Sequence, residues 1–312
     1  MTGSAGSPVP ALISTFSIVA ADPSTGQVGV AVQSKYFAVG AVVPWARAGV
    51  GAVATQALGL ARYGPALLDA LEGGERPPAA LKAALANDPL AAQRQIGVVH
   101  ADGEAANHTG TKCYAWAGGR MGPGFSVQGN ILTGEQVVDN MARAFTGAPG
   151  SLAERLLASL EAGQAAGGDS RGQQSAALLV EQLGYRDLGL EGIDRLVDLR
   201  VDDHPQPIAE MRRLFGLWQR QEAMERGMVR YYKADYGGAA DAMGEANTRF
   251  PGSATVLYNL ACFESLSGRA AASVAHLSQA IALDTSFRDL ARTDSDFDPL
   301  REISEFKALF AA

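Results

Sequence analysis

Four stretches of the chain carry side chains that could do chemistry. "ISTFSIVAAD" places the hydroxyl of Thr15 at the head of a strand-like run. Such a hydroxyl becomes a competent nucleophile when a base lies beside it, and the residue's own α-amine is such a base once freed. "VQSKY" ends an apolar run on Lys35, and "VQGNIL" sets Asn130 on a late strand. In "AGGDSRGQQSAALL", Asp169 and Arg171 bracket Ser170 just ahead of Ser175. An acid and an arginine two residues apart fit a loop at a sheet end, where sites gather. Each also has a plain structural alternative. Threonine is an ordinary strand residue, a strand-end lysine is a solvated charge or edge guard, and Asn130 after Gly129 could serve a turn.

Other chemistry is not indicated. His100, His108, His204 and His276 are scattered, without metal-ligand spacing. Asp202, Asp203 and His204 precede "PQP"; such a run could bind a cation, but acids ahead of a helix-starting Pro also serve as N-terminal caps, which is the reading favoured. There is no GxSxG elbow, no phosphate loop and no GxGxxG between a strand and a helix. No metal or cofactor is therefore expected. The two cysteines, Cys113 and Cys262, read as reduced thiols. Cys113, five residues after His108, is a second nucleophile–base candidate.

The elements that must position these residues follow from pattern. Residues 1–14 are Gly/Ser/Pro-rich and read as a disordered lead. "TFSIVAAD" and "QVGVAVQS" flank the turn "PSTG", and "AVGAVVPWARAG" and "VGAVATQAL" extend them into an expected meander. "RYGPALLDALEGG" and "RPPAALKAALAND" have helical spacing, with Pro77 and Pro78 opening the second. Strands return in "RQIGVVHADG", "EAANHTG" and "GFSVQGNIL". Two helices follow, then the strands "QSAALLVEQL" and "RLVDLRVDD", and a helix to about Arg220. Two antiparallel sheets, each covered by a helix pair, make an α+β fold with a four-layer α/β/β/α sandwich over 15–220.

Residues 221–312 are helical, Ala-rich and self-similar. Under a shift of about 34 residues, Gly227 meets Ala261, Ala246 meets Ala280 and Pro251 meets Thr285. Small residues recur where helices approach closely, as in tetratricopeptide repeats, with the last helix as a cap.

With 312 residues, 47% hydrophobic and 19% charged, the chain can bury a large core. A net charge of −7 and 7% aromatics argue against nucleic-acid binding. No run approaches the roughly 20 apolar residues of a membrane helix. "MTGSAGSPVPALI" lacks a charged n-region and an h-region, so a cytoplasmic location is expected.

"TFSIVAADPSTGQVGVAVQSKYFAVGAVVPWARAGVGAVATQA", "RQIGVVHADG", "HTGTKCYAWAG", "VQGNIL", "LASLEAGQAAGGDSRGQQSAALLV" and "VDLRVDDHPQPI" together resemble the domain of unknown function 1028 family over about two-thirds of the chain. That family is similar to N-terminal-nucleophile hydrolases, whose fold is an α/β/β/α sandwich. The resemblance implies Thr15 as nucleophile and base, Lys35 as the charge that lowers the amine's pKa, and Asn130 as an oxyanion donor. It implies Ser34, Gln56, Asp169, Arg171 and Ser175 as substrate contacts. Many members begin at the position of Thr15, and some carry a peptidoglycan-binding tail where this chain has its repeat-like region. A residue preceded by Ser14 has no α-amine. The Ser14–Thr15 bond is cut, or the working chain starts downstream, or this chemistry is unused.

The expected function is hydrolysis of a small amide, lactam or peptide-like bond. The alternative is a non-catalytic binding scaffold that recruits a protein partner through its repeats. A homodimer is compatible with either.

Overall fold

In the computed structural model, residues 15–185 and 194–311 are described. The lead expected over 1–14 lies outside them. Strands β1 (Thr15–Asp22) and β2 (Gln27–Ser34) form a hairpin. Its turn is set by Asp22, whose carboxylate accepts from the backbone N–H and hydroxyl of Ser24, and by Gly26 at φ 69°. β3 (Pro44–Arg47) and β4 (Gly51–Ala57) follow, then helices α1 (Tyr63–Glu72) and α2 (Pro77–Leu85). β5 (Arg94–His100), β6 (Ala105–Thr109), β7 (Gly118–Gly122) and β8 (Phe125–Asn130) lead to α3 (Gln136–Gly147) and α4 (Leu152–Ala165). α4 opens on a capping box between Ser151 and Glu154. β9 (Ser175–Gln182) and β10 (Arg195–Val201) are the last strands among the described residues.

Among the described residues all strand pairings are antiparallel and build two sheets, β10-β9-β2-β1-β8-β7 and β3-β4-β5-β6. The expected opening meander is thus corrected: β1 and β2 belong to one sheet, β3 and β4 to the other. The short 3-10 turn at Val39–Ala41 carries the chain between them. "GGRMG" also forms a strand, β7, between the expected strands "EAANHTG" and "GFSVQGNIL".

Alternation decides which face each strand residue covers. Val19 and Ala21 of β1 and Val28, Val30 and Val32 of β2 pack with Ala52, Ala54 and Val99 of the second sheet. The opposite phase meets helices: Gly163 of α4 passes so close to Phe16 and Met141 that a Cβ there would clash. The outer face of the second sheet, with Val53, Ile96 and Val98, packs on Leu67, Leu68 and Leu71 of α1 and Leu81 of α2. The order of layers is α3/α4, six-stranded sheet, four-stranded sheet, α1/α2.

The expected cap at Asp202 and Asp203 is corrected too. Asp202 pairs with Arg200 at 2.9 Å and Asp203 accepts from Gln174 at 3.1 Å. Their carboxylates bond there rather than to the first N–H groups of α5 (Pro207–Tyr232), and His204 Nδ1 accepts from the Gln206 N–H at 3.0 Å.

The chain divides into two compact units, the first ending at Leu214 and the second beginning at Phe215. α5 runs unbroken through residues 214, 215 and 220. The second unit holds α6 (Tyr236–Arg249), α7 (Ala254–Leu266), α8 (Ala270–Leu283), α9 (Ser286–Thr293) and α10 (Ser304–Ala308). Ala239, Ala246, Ala261 and Ala280 are buried in its core beside Met243 and Phe263. A Cβ on Gly227 would meet the Met243 methyl at 2.9 Å, so small residues there do permit close helix approach. Among the described residues no helix is long and apolar enough to cross a membrane.

Candidate active site

Antiparallel register places four polar residues in one row across the larger sheet. Thr15 opposes Asn130 on one side and Ser34 on the other, and Ser34 opposes Ser175. The order along the row is Asn130, Thr15, Ser34, Ser175. Thr15, Ser34 and Ser175 are 0% exposed and Asn130 is 2% exposed. Thr15 Oγ1 donates to Ser34 Oγ at 3.1 Å. The row lies at the strand ends from which the loops after β2 and β8 and before β9 depart.

Behind the row, the space between the sheets is filled by amides. Gln56 Nε2 donates to Gln95 Oε1 at 2.9 Å and to the Thr15 carbonyl at 3.3 Å. Asn130 Nδ2 donates to the same Gln95 oxygen at 3.0 Å. Ser17 Oγ donates to Gln56 Oε1 and accepts from Gln128 Nε2, each at 2.7 Å. Ser126 then donates to Gln128 Oε1 at 2.9 Å. Gly97 has room for no side chain, because a Cβ would sit 2.2 Å from Gln128 Oε1. These buried polar groups are tolerable because each is hydrogen-bonded.

Two backbone outliers flank the cluster. Ile131, directly after Asn130, has φ 53°, and Ala57, directly after Gln56, has φ 66°. A β-branched residue in this left-handed region costs on the order of 1–3 kcal/mol. The strain at Ile131 is held by its N–H on the Tyr114 carbonyl at 3.1 Å and by Leu132 N–H on the Trp116 carbonyl at 3.0 Å.

The loop before β9 is organised by Asp169. Its side chain is 0% exposed and that of Arg171 is 37% exposed. Asp169 accepts from the Lys35 N–H at 3.2 Å, the Arg171 N–H at 2.9 Å, and Arg171 Nη2 at 3.0 Å. The backbone of Lys35 is therefore tied into the cluster, while its exposed ammonium donates to the Gln173 carbonyl at 3.2 Å. Ser175 Oγ donates to the Tyr36 carbonyl at 2.5 Å and accepts from the Val39 N–H at 3.1 Å, clamping the loop after β2.

A buried ion pair braces the loops next to the glutamines. Arg94 donates to Asp88 at 2.8 Å, and their side chains are only 7% and 6% exposed. Arg94 also reaches the Leu58 carbonyl, just past Ala57. Tyr63 donates to Asp88 at 2.7 Å. The hydrogen bond from Arg94 holds the Asp88 carboxyl well below the usual range, and burial pushes the Tyr63 phenol up to about 12.

The structure thus brings Thr15, Ser34, Gln56 and Asn130 together around one buried network, with Asp169, Arg171, Ser175 and the Lys35 backbone in the adjoining loops. Cys113 and His108 have separate partners: the thiol reaches the Arg94 carbonyl at 3.4 Å and His108 Nε2 contacts the Ala91 carbonyl at 2.9 Å. Burial pushes the Cys113 thiol up, away from thiolate chemistry. Sequence reasoning missed Gln95, Gln128 and Ser17. The available signal was a glutamine in each of three strand runs, "GAVATQA", "RQIGVV" and "FSVQGN".

Among the described residues, one group has metal-ligand atoms close together, Cys262, Asp294 and Asp296 in the second unit. Its carboxylates are already engaged by Tyr258 at 2.6 Å and Tyr231 at 3.0 Å. Asp294 also caps the following turn through the Asp296 N–H at 3.0 Å.

A family model described as "Family of unknown function (DUF1028)" matches residues 15–211. The crystal structure of protein SPO2555 from Silicibacter pomeroyi, of the same family model, is similar at 31% identity with a TM-score of 0.59, covering 65% of this chain and 88% of that one. None of the curated proteins compared with the chain matches it.

Proposed function

The chain belongs to the family of unknown function DUF1028, and from that membership and the site we propose that it hydrolyses a small amide, lactam or peptide-like bond with Thr15 as an N-terminal nucleophile. The observation that carries this reading is the buried row Asn130–Thr15–Ser34, with the first residue of β1 at its centre. Helices outside two facing sheets are also the layering of N-terminal-nucleophile hydrolases, which the family resembles.

The chemistry follows from the groups present. Once the Ser14–Thr15 bond is cut, the α-amine of Thr15 has an ordinary pKa near 8, roughly, and can accept a proton at neutral pH. It takes the proton of Oγ1 as Oγ1 attacks the substrate carbonyl carbon. The resulting oxyanion is held by N–H donors; the pairing of Asn130 with Thr15 on the neighbouring strand supports Asn130 as one of them. Collapse expels the amine, which leaves with the proton from the α-ammonium. Water then releases the acid from the Thr15 ester by the same steps reversed. Ser34 orients Oγ1. Gln56 holds the Thr15 carbonyl, and Asp169, Arg171 and Ser175 shape the wall on which substrate rests. Lys35 adds positive charge at this end of the sheet and favours the neutral amine.

The second unit reads as tetratricopeptide-like helix pairs, supported by the burial of Ala246, Ala261 and Ala280 at positions matched by the repeat. We propose that it recruits a protein partner. The test of the catalytic reading is acylation by a β-lactone probe. A covalent adduct on Thr15, with turnover lost in Thr15→Ala and partly kept in Thr15→Ser, is expected. A folded protein with no adduct, and partner capture unaffected by Thr15→Ala, favours the non-catalytic scaffold instead.

A further inference from the structure

The amide of asparagine or glutamine has a donor end and an acceptor end, and what surrounds it decides which way it faces. In this site one residue makes that decision for the others. Gln95 Nε2 lies 2.8 Å from the Gly129 carbonyl, 3.2 Å from the Gly118 carbonyl and 3.0 Å from Thr109 Oγ1. Backbone carbonyls only accept, so the nitrogen end of Gln95 must face them. Its oxygen end is thereby forced toward Asn130 and Gln56. An oxygen only accepts, so both of those amides must turn their NH2 ends to it, as they do at 3.0 and 2.9 Å.

The polarity then propagates. With its nitrogen committed, Gln56 offers its oxygen to Ser17, and Ser17 takes its own hydrogen bond from Gln128. Register adds to the argument: Gly129 and Gly118 are paired residues of β8 and β7, and Gly129 directly precedes Asn130. The carbonyl that fixes Gln95 is therefore in the same strand as the amide that Gln95 fixes. None of these partners of Gln95 is titratable, so the orientation holds at any pH at which the protein is folded.

We propose that Gln95 is the positioning residue of the site: by accepting from Nδ2 it fixes the Asn130 amide, so that the nitrogen end and not the carbonyl end is held toward Gln95 in the row beside Thr15. The proposal deepens the catalytic reading above and rests on it for its consequence, but the orientation itself can be tested without any turnover.

The first measurement is NMR of the Asn130 side-chain amide in the full chain, assigned by its loss in Asn130→Asp. In Gln95→Leu that amide is expected to shift upfield and to exchange with solvent at least about tenfold faster, as a hydrogen bond is lost in an otherwise folded protein. An unchanged Asn130 signal in folded Gln95→Leu overturns the proposal. The second is the rate of Thr15 acylation by the β-lactone. Gln95→Leu is expected to slow it by roughly ten- to a hundredfold, less than the 10²–10³ for outright loss of an oxyanion donor in Asn130→Ala.

Gln95→Glu guards against a variant that fails to fold and separates positioning from space-filling. Burial raises the pKa of the introduced carboxyl. Its neutral form still offers a donor to the carbonyls and an acceptor to Asn130, and its ionised form repels the carbonyls. The acylation rate relative to the parent protein should fall as pH rises through that pKa. A ratio independent of pH also overturns the proposal. A parent protein that is never acylated on Thr15 removes the nucleophile reading, and the NMR measurement still decides the role of Gln95.

Discussion

The interior between the two sheets is apolar at one end and amide-filled at the other, along the same strands. On the inner face of β1, Thr15 and Ser17 give way to Val19 and Ala21. On β4, Gln56 is followed by Ala54 and Ala52, and on β5 Gln95 is followed, past Gly97, by Val99. Both ends are fully buried, so burial alone does not distinguish them. The apolar end stabilises by removing hydrocarbon from water, a non-directional effect. The amide end adds little net stability, since its hydrogen bonds replace those to water, but it fixes orientation. Stability and site geometry are thus assigned to different stretches of the same strands, and substitutions should separate them.

The largest expected effect lies at the brace of the amide end. Arg94→Met leaves Asp88 buried without its cation and should lower the unfolding free energy by about 3–5 kcal/mol in urea titrations. The pH dependence has a definite sign. Asp88 titrates below its unfolded value, so its contribution is present above the usual carboxylate pKa near 4, roughly, and is lost as pH falls toward the depressed folded value. Asp88→Asn should therefore flatten the acid limb of the stability curve. Tyr63 titrates at about 12 in the folded protein, so stability is lost as pH rises from its unfolded value toward 12, a loss that Tyr63→Phe removes.

Next comes the apolar end. Val19→Ala or Val30→Ala should cost roughly 1.5–3 kcal/mol while leaving the rate of Thr15 acylation unchanged. A rate that falls in step with stability would dissolve the distinction between the two ends. Ser17→Ala removes the hydroxyl bridging Gln56 and Gln128 and should cost about 1–2 kcal/mol, with a measurable loss of acylation rate. The smallest effect on stability is expected for Lys35→Met, within about 0.5 kcal/mol because the side chain is exposed. If its charge favours the neutral Thr15 amine, the acid limb of the pH–rate profile should move to higher pH.

How much of this was legible in the sequence differs between the same two ends. The apolar end was readable, because valines alternating through "QVGVAVQS" announce a strand, and "PSTG" its turn. The hydroxyl at Thr15 and the loop at Asp169 were readable as candidates from their places at strand ends. Gln95 and Gln128 were not, because a glutamine in a strand ordinarily marks the wet face. Here both faces of β5 and β8 are covered, and only the facing sheet makes an inward glutamine possible. The partition of β1–β4 between two sheets was equally hidden, since alternation describes a strand and not its neighbour. The bounds of α5 escaped for a related reason: composition changes near residue 220 while the helix continues to Tyr232.

The central claim is that Thr15 acts through its own α-amine, and the most direct measurement is the mass of the N-terminal peptide of turnover-competent protein. A chain beginning at Thr15, with Thr15→Ala accumulating uncut or inactive, is the predicted result. An intact Ser14–Thr15 bond in protein whose turnover is unaffected by Thr15→Ala would contradict it.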